Sequence, residues 1–368
     1  MFLFSMCMLC SLYGLFMVRI AVTDMYAAGW VQSTPARMVL VQVLSLMLGV
    51  GAFVVLTVID ADLLADQWKW LCIVNLLLLV ALYIFGQDDG TGNKSWIRFA
   101  GIGIQPSEVI KVIYIIVAAK QMSYLKEYKD MNSFLSVVQM AAHAGIVFVA
   151  IVIVSADLGS AAIILGILVI MLFALGLRLY WFAAGGAAVS AMIPLLWTYF
   201  LKDYQKNRLI APYAPDSVDK TGYGITWQTN QSRLTLASGR LTGVDAEHTV
   251  TTFTGKHTDF IFASIGEKLG MVGCIVVMIL LTIVIVHCVR VGLHAGRTFD
   301  MLLCIGVAAG ITCQLFINVG MCIGITPVIG ITLPFFSYGG SSMMTTFAAM
   351  GLVSGVKYKP KPQLFSMF

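Results

Sequence analysis

The chain is expected to be an all-α polytopic membrane protein of about ten transmembrane helices, and three observations predict it. Of its 368 residues, 59% are hydrophobic and only 11% are charged, against roughly 25% charged in soluble domains. Mean hydropathy is +0.91, so no water-soluble surface can be assembled from this composition, whereas about ten spans of roughly 20 residues would absorb its apolar positions. The apolar runs are long, continuous and rich in Leu, Ile, Val and Met, which excludes a membrane β-barrel built of short alternating strands. The net charge of +5 is small and its basic residues are scattered, which excludes a nucleic-acid binder.

Apolar runs punctuated by charge, Pro or Gly place helices near 3–22, 38–58, 69–86, 106–121, 136–154, 159–177, 180–200, 261–289, 301–323 and 340–356. Residues 1–22 lack a basic start and a small-residue cleavage signature, so the first run is expected to be a retained helix. The eight cysteines, Cys7 and Cys10 among them, fall within or beside apolar runs. They are expected as small apolar packing residues, not as disulfides or zinc ligands.

Orientation follows from Lys and Arg in the short connections. With the N-terminus inside, the inner connections and tail collect Lys69, Lys120, Lys126, Lys129, Arg178, Arg290, Arg297, Lys357, Lys359 and Lys361, while the short outer ones hold Arg37, Lys94 and Arg98. Both termini are therefore expected in the cytoplasm and the long polar segment between the seventh and eighth helices outside. That segment contains Pro212 and Pro215 and is rich in Thr, Ser, Asn and Gln. It cannot be a span, and it is too small to fold alone. The chain thus reads as one transmembrane unit over 1–368, with a large outer loop at about 201–260.

A charge at bilayer depth costs roughly 2.5–3.5 kcal/mol even on the forgiving insertion scale, so each one needs a partner or a wet cavity. Glu108 and Lys111, three apart at the start of the fourth helix, either form a structural pair or serve a site. Asp157, in Ser155-Ala-Asp-Leu-Gly159, is either a helix cap or a site residue. Asp259, Glu267 and Lys268 surround the entry to the eighth helix, and His143 and Asn318 are further polar intrusions. Glu108, Lys111, Asp157 and Asp259 share one depth near the outer face, which points to a common polar cavity.

Two broken stretches reach that side. The first, 86–107, holds Trp96 and Arg98 and ends in Pro106-Ser107, suited to a helix start. The second, 318–342, carries five glycines and two prolines, and its unpaired backbone would be tolerated only within protein or beside a cavity. It is expected to re-enter the membrane before the tenth helix. Its end, Ser337-Tyr338-Gly339-Gly340-Ser341, offers amides and hydroxyls able to hold an anion such as pyrophosphate.

Taken in order, these motifs resemble the SEDS family (shape, elongation, division and sporulation), the RodA/FtsW/SpoVE-type peptidoglycan glycosyltransferases. The matching stretches are Trp96-Ile-Arg98, Gln105-Pro-Ser-Glu-Val-Ile-Lys111, Ala156-Asp-Leu-Gly159, Tyr204-Gln-Lys-Asn-Arg208, Gly222-Tyr223 and Gln231-Ser232. His257-Thr-Asp-Phe-Ile-Phe-Ala263, Asn318-Val-Gly-Met321 and Leu333 to Ser342 complete them. The resemblance implies an enzyme that polymerises lipid II at the outer face of the bacterial cytoplasmic membrane, with undecaprenyl pyrophosphate as leaving group. Asp259 matches the family's essential aspartate, a carboxylate base for the acceptor hydroxyl; the plainer reading of Asp259 is an N-cap of the eighth helix, aided by Thr258.

Arg208, Lys111 and Arg98 are candidates to neutralise pyrophosphate. Gln231, Ser232 and His257 are candidates to hydrogen-bond sugars, and Trp96 either anchors the interface or stacks on substrate. A divalent cation, Mg or Mn, is compatible with Asp259, although no metal-ligand spacing shows one. The family's usual partner is a class B penicillin-binding protein. A lipid II transporter, suggested by broken helices and buried charge, and a non-catalytic wall-synthesis scaffold are the competing readings.

The chain departs from the family pattern in three places. Glycines are fewer in Ala237 to Asp245, the Pro before His-Thr-Asp is absent from Thr254-Gly-Lys-His257, and a cation, Lys268, follows Glu267 where two acids are usual.

Overall fold

The computed structural model describes residues 1–87, 94–99, 102–244 and 251–359. Asp245, Lys361 and parts of the broken 86–107 stretch lie outside them. In chain order the elements are α1 (Phe2–Ala27), α2 (Pro35–Val58), α3 (Ala61–Asp66), α4 (Trp68–Phe85), β1 (Ile97–Phe99) and β2 (Ile102–Ile104). There follow α5 (Pro106–Tyr128), α6 (Phe134–Ser155), α7 (Leu158–Leu175) and α8 (Leu179–Leu195), which runs into a π-helical turn at Leu196–Phe200. The last are α9 (Asp203–Ile210), α10 (Pro215–Val218), α11 (Trp227–Ser238), α12 (Ile261–Leu293), α13 (Thr298–Ile323) and α14 (Gly340–Tyr358).

Local chemistry sets the boundaries. Pro35 and Pro106 open α2 and α5, where a missing N–H costs nothing. The side chains of Ser133 and Asp157 accept from Ser136 and Ser160 amides to cap α6 and α7. Pro194 removes a ladder donor near the end of α8, and the π turn follows it.

Among the described residues, eight helices are long and apolar enough to cross a membrane: α1, α2, α4, α6, α7, α8 with its π turn, α12 and α13. The other two apolar runs fold as α5, 23 residues, and α14, 19 residues. Both are more polar because they lie inside the bundle, where protein rather than lipid covers them. α14 packs along α2, and α13 lies against α12, α7 and α5. The irregular run between α13 and α14 buries Leu333, Phe335 and Phe336, as the re-entrant expectation requires. α13, however, continues helically past Asn318 to Ile323. All eight cysteines are free, and Cys7 and Cys10 are fully buried between helices.

The long polar segment is more structured than its composition suggested, since it contains α9, α10 and α11. α11 packs on α12 and α13, and a break in α12 shows why. Gly270 has φ 64° and ψ −163°, a conformation that glycine adopts without strain. The N–H groups freed by this break, on Met271 and Val272, donate to the carbonyls of Arg240 and Leu241 at 2.9 and 3.2 Å, and the Val244 N–H donates to the Glu267 carbonyl at 2.9 Å. Loop backbone thus completes helix backbone where neither could be left bare. The approach is close enough that a Cβ on Gly239 would sit 1.8 Å from the Gly266 carbonyl oxygen.

Candidate active site

At the loop end of the bundle, a cavity of about 450 Å³ is enclosed by the β1–β2 hairpin, the starts of α5 and α7, α9, α11, the turn before α12 and the irregular run before α14. Trp96, Arg98, Asp157, Arg208, His257, Thr258, Asp259, Tyr338, Gly339 and Gly340 line it. So do Gln105, Gln228, Gly330 and Thr332, which motif reading had not singled out as site residues.

Asp259 owes its place to a lattice of main-chain contacts. The Asn318 amide, fully buried on α13, donates to the Asp259 carbonyl at 2.8 Å and to the Ile331 carbonyl at 2.7 Å. The Ser337 hydroxyl donates to the Thr258 carbonyl at 2.7 Å and accepts from the Leu333 N–H at 2.8 Å. The Tyr338 N–H donates to the His257 carbonyl at 3.0 Å. Three successive residues, His257, Thr258 and Asp259, are therefore tied to the re-entrant run. The N-cap of α12 falls on Phe260, one residue beyond Asp259. Gly330, at φ +70°, takes a left-handed conformation that favours glycine, and it lies beside the Asp259 carboxylate, where a Cβ would stand at ordinary contact distance, 3.6 Å from Oδ2.

Two buried ion pairs brace the same corner. Lys256 Nζ lies 2.6 Å from Glu267 Oε2, with both side chains wholly buried, and Lys268 Nζ lies 3.3 Å from Asp24 Oδ2 on α1. The departures at Lys256 and Lys268 are thus matched by acids of this chain.

Asp157 is a helix cap that also borders the cavity. It caps α7, accepting from the Ser160 N–H at 2.9 Å and hydroxyl at 2.7 Å, and it also accepts from Gln105 Nε2 at 3.2 Å while lining the cavity. Trp96 packs flat on the hairpin, its Cε3 3.0 Å from where a Gly103 Cβ would sit. Arg208 stands over the Tyr204 ring at 5.9 Å; burial pushes its guanidinium down and Tyr204 acts against that. His257 lies 5.4 Å from the Tyr338 ring, and burial pushes its imidazole down to about 4, so it enters the site as a neutral hydrogen-bonding group at pH 7.

Other expected site residues lie elsewhere. Lys111 Nζ is 3.0 Å from both Glu108 oxygens, and this buried pair faces Gln314 and Thr345 in a small separate void between α5, α13 and α14. The pair sits on α5, whose start borders the cavity, but helix rotation turns it away from the lining. Gln231 and Ser232 are not in the lining; Ser232 is fully buried and donates to the Cys322 carbonyl at 2.9 Å, fastening α11 to α13. Ser337 and Ser341 are structural too, since the Ser341 hydroxyl accepts from the Gln105 N–H at 3.1 Å.

The amides of Ser337, Tyr338 and Gly339 are also spent internally, on Leu333, His257 and Gln42. An anion would therefore meet only the first turn of α14, not the whole glycine turn. Gln42 Nε2 reaches the Ser337 carbonyl at 3.2 Å while its Oε1 accepts from Gly339; its polarity within the apolar α2 run was the signal that could have identified it. No group of three or more His, Cys, Asp or Glu converges among the described residues. The acids of the cavity lining are Asp157 and Asp259.

A helical membrane bundle with a polar cavity under a stitched outer loop is the class these features define. The chain belongs to the FtsW/RodA/SpoVE family of cell cycle proteins, whose model matches residues 1–361. It is 32% identical over 326 residues to a probable peptidoglycan glycosyltransferase FtsW of Geobacter metallireducens, covering 85% of this chain and 83% of that one. It is 29% identical to the peptidoglycan glycosyltransferase MrdB of Escherichia coli K12 over 84% and 82% of the two chains. A chain from a solved peptidoglycan synthase complex, described as coordinating polymerization and crosslinking, superposes with TM-score 0.79 at 25% identity over 97% and 96%. Thermus thermophilus RodA shares the fold, with TM-score 0.68 at 21% identity over 97% and 96% of the two chains.

Proposed function

We propose that this chain is a peptidoglycan glycosyltransferase that polymerises lipid II at the outer face of the bacterial cytoplasmic membrane, with Asp259 as general base. The carrying observation is that Asp259, Arg208 and Arg98 line one cavity at the loop end of the bundle. The positive-inside distribution puts that end outside and both termini in the cytoplasm.

The Asp259 carboxylate takes the proton from an acceptor sugar hydroxyl as its oxygen bonds to the anomeric carbon of the donor. The bond from that carbon to the pyrophosphate oxygen breaks, and undecaprenyl pyrophosphate leaves with the electron pair. Arg208 and Arg98 meet the growing phosphate charge with planar, paired donors. Gln228, Trp96 and the neutral His257 supply hydrogen bonds and an aromatic face for sugars. A class B penicillin-binding protein is the partner, which the likeness to a complex of polymerization and crosslinking supports.

The test is glycan-strand synthesis from lipid II by the purified protein with that partner. Asp259→Ala should lower the rate by at least about 100-fold, the lower end of general-base contributions, while expression and partner binding stay intact. An active variant removes the base. Translocation of lipid II in vesicles with polymer from neither protein would favour a transporter, and partner binding with neither activity a scaffold.

A further inference from the structure

A second cavity, of about 380 Å³, lies at the opposite end of the bundle, between the last turns of α12 and α14 and the start of α13. Its position follows from helix length. Gly340 lines the first cavity and Lys357 the second, and the intervening turns of α14 span roughly 25 Å at 1.5 Å per residue, close to the thickness of a bilayer's hydrocarbon core. If the first cavity sits at one headgroup layer, the second sits at the other.

The second lining is basic: the cations Arg290 and Lys357, with His287 and His294 beside them and Asp300 as its acid. Both Asp300 oxygens accept from Arg297, at 2.9 and 3.0 Å, and the same guanidinium also donates to both oxygens of Asp62. Neither Arg290 nor Lys357 has an ion-pair partner among the described residues. His294 Nδ1 lies 2.8 Å from the Arg290 carbonyl, and His287 rests its ring on Phe2, 5.0 Å between centroids. The Nε2 of His287 is buried and has no hydrogen-bond partner within the protein. Along the same flank of α12, Ile279, Ile283 and Val286 are exposed, an apolar wall reaching from the cations toward the membrane interior. A polar anionic head with apolar tails fits this combination; a small soluble anion would not use the wall.

We propose that this cavity holds the phosphodiester of an anionic membrane lipid, with Arg290 and Lys357 paired to the phosphate. Basic pockets between spans at the cytoplasmic interface bind such headgroups. The site is separate from the polymerisation cavity and stands whether or not Asp259 is a base.

The test is native mass spectrometry of the detergent-purified full chain equilibrated with equimolar phosphatidylglycerol and phosphatidylcholine. Wild type should retain a phosphatidylglycerol adduct preferentially, and Arg290→Gln with Lys357→Gln should reduce that adduct at least fivefold with no change in thermal transition. The control, Lys69→Gln with Arg178→Gln, removes two exposed cations away from the cavity and should keep the adduct. Equal retention by the Arg290/Lys357 variant, equal loss in the control, or displacement of the lipid by millimolar inorganic phosphate would each overturn the proposal.

Discussion

The helices at the centre of the bundle and the helices at its rim follow opposite rules. In α13, 72% of the most apolar stretch is buried, and it nevertheless carries Asn318 and Gln314 in the interior. No residue of α8 is buried, and its sequence carries no charge. In water the apolar face points inward; here lipid wets the rim, so apolarity marks the outside and polar side chains mark the packed interior. The lesson is that a substitution's cost should track hydrogen bonds lost inside the wall, not hydrophobicity lost from the helix.

That contrast can be broken or sharpened by substitution. The largest effect on stability is expected from Lys256→Met, which strands a fully buried Glu267 carboxylate and should cost about 3–5 kcal/mol. Chemical denaturation in detergent reads it, and the double variant with Glu267→Leu should recover much of the loss. If the single variant is neutral, the pair does not brace the Asp259 turn.

Asn318→Ala comes next. It removes the amide that donates to the Asp259 and Ile331 carbonyls and should destabilise by about 1–3 kcal/mol, with polymerisation falling further than stability because Asp259 loses this tether. A proportional fall in both would mean that Asn318 serves packing alone. The smallest effect belongs to the rim: Val189→Leu, 59% exposed on α8, should stay within about 0.5 kcal/mol, and a larger change would show that α8 is covered by something other than lipid.

How much could be read beforehand follows the same division. Rim helices announce themselves by hydropathy. α5 and α14 were visible because Pro106 and the glycine pair Gly339-Gly340 punctuate apolar runs, although their interiors are too polar for a hydropathy criterion alone. Within the site, Asp259, Arg208, Trp96 and Tyr338 lie in motifs, and the structure gathers them around one cavity. Glu108 and Lys111 were expected beside the cavity from their depth, but depth does not fix rotation, and rotation aims them at Gln314 and Thr345. Gln105, Gln228 and Gly330 escaped notice because their approach to the cavity depends on how a hairpin, α11 and an irregular run fold against one another. The helices inside the outer loop were hidden for a related reason: they are short and polar, and α11 is held by packing on α12 and α13.

The stitched break at Gly270 makes the outer loop and α12 one inseparable piece. Grafting a foreign loop between α8 and α12 would leave donors in the middle of a span without acceptors unless the graft carried its own backbone equivalent of 240–244. Evolution can lengthen or shorten this loop at its exposed tips, but the seam must travel with the helix.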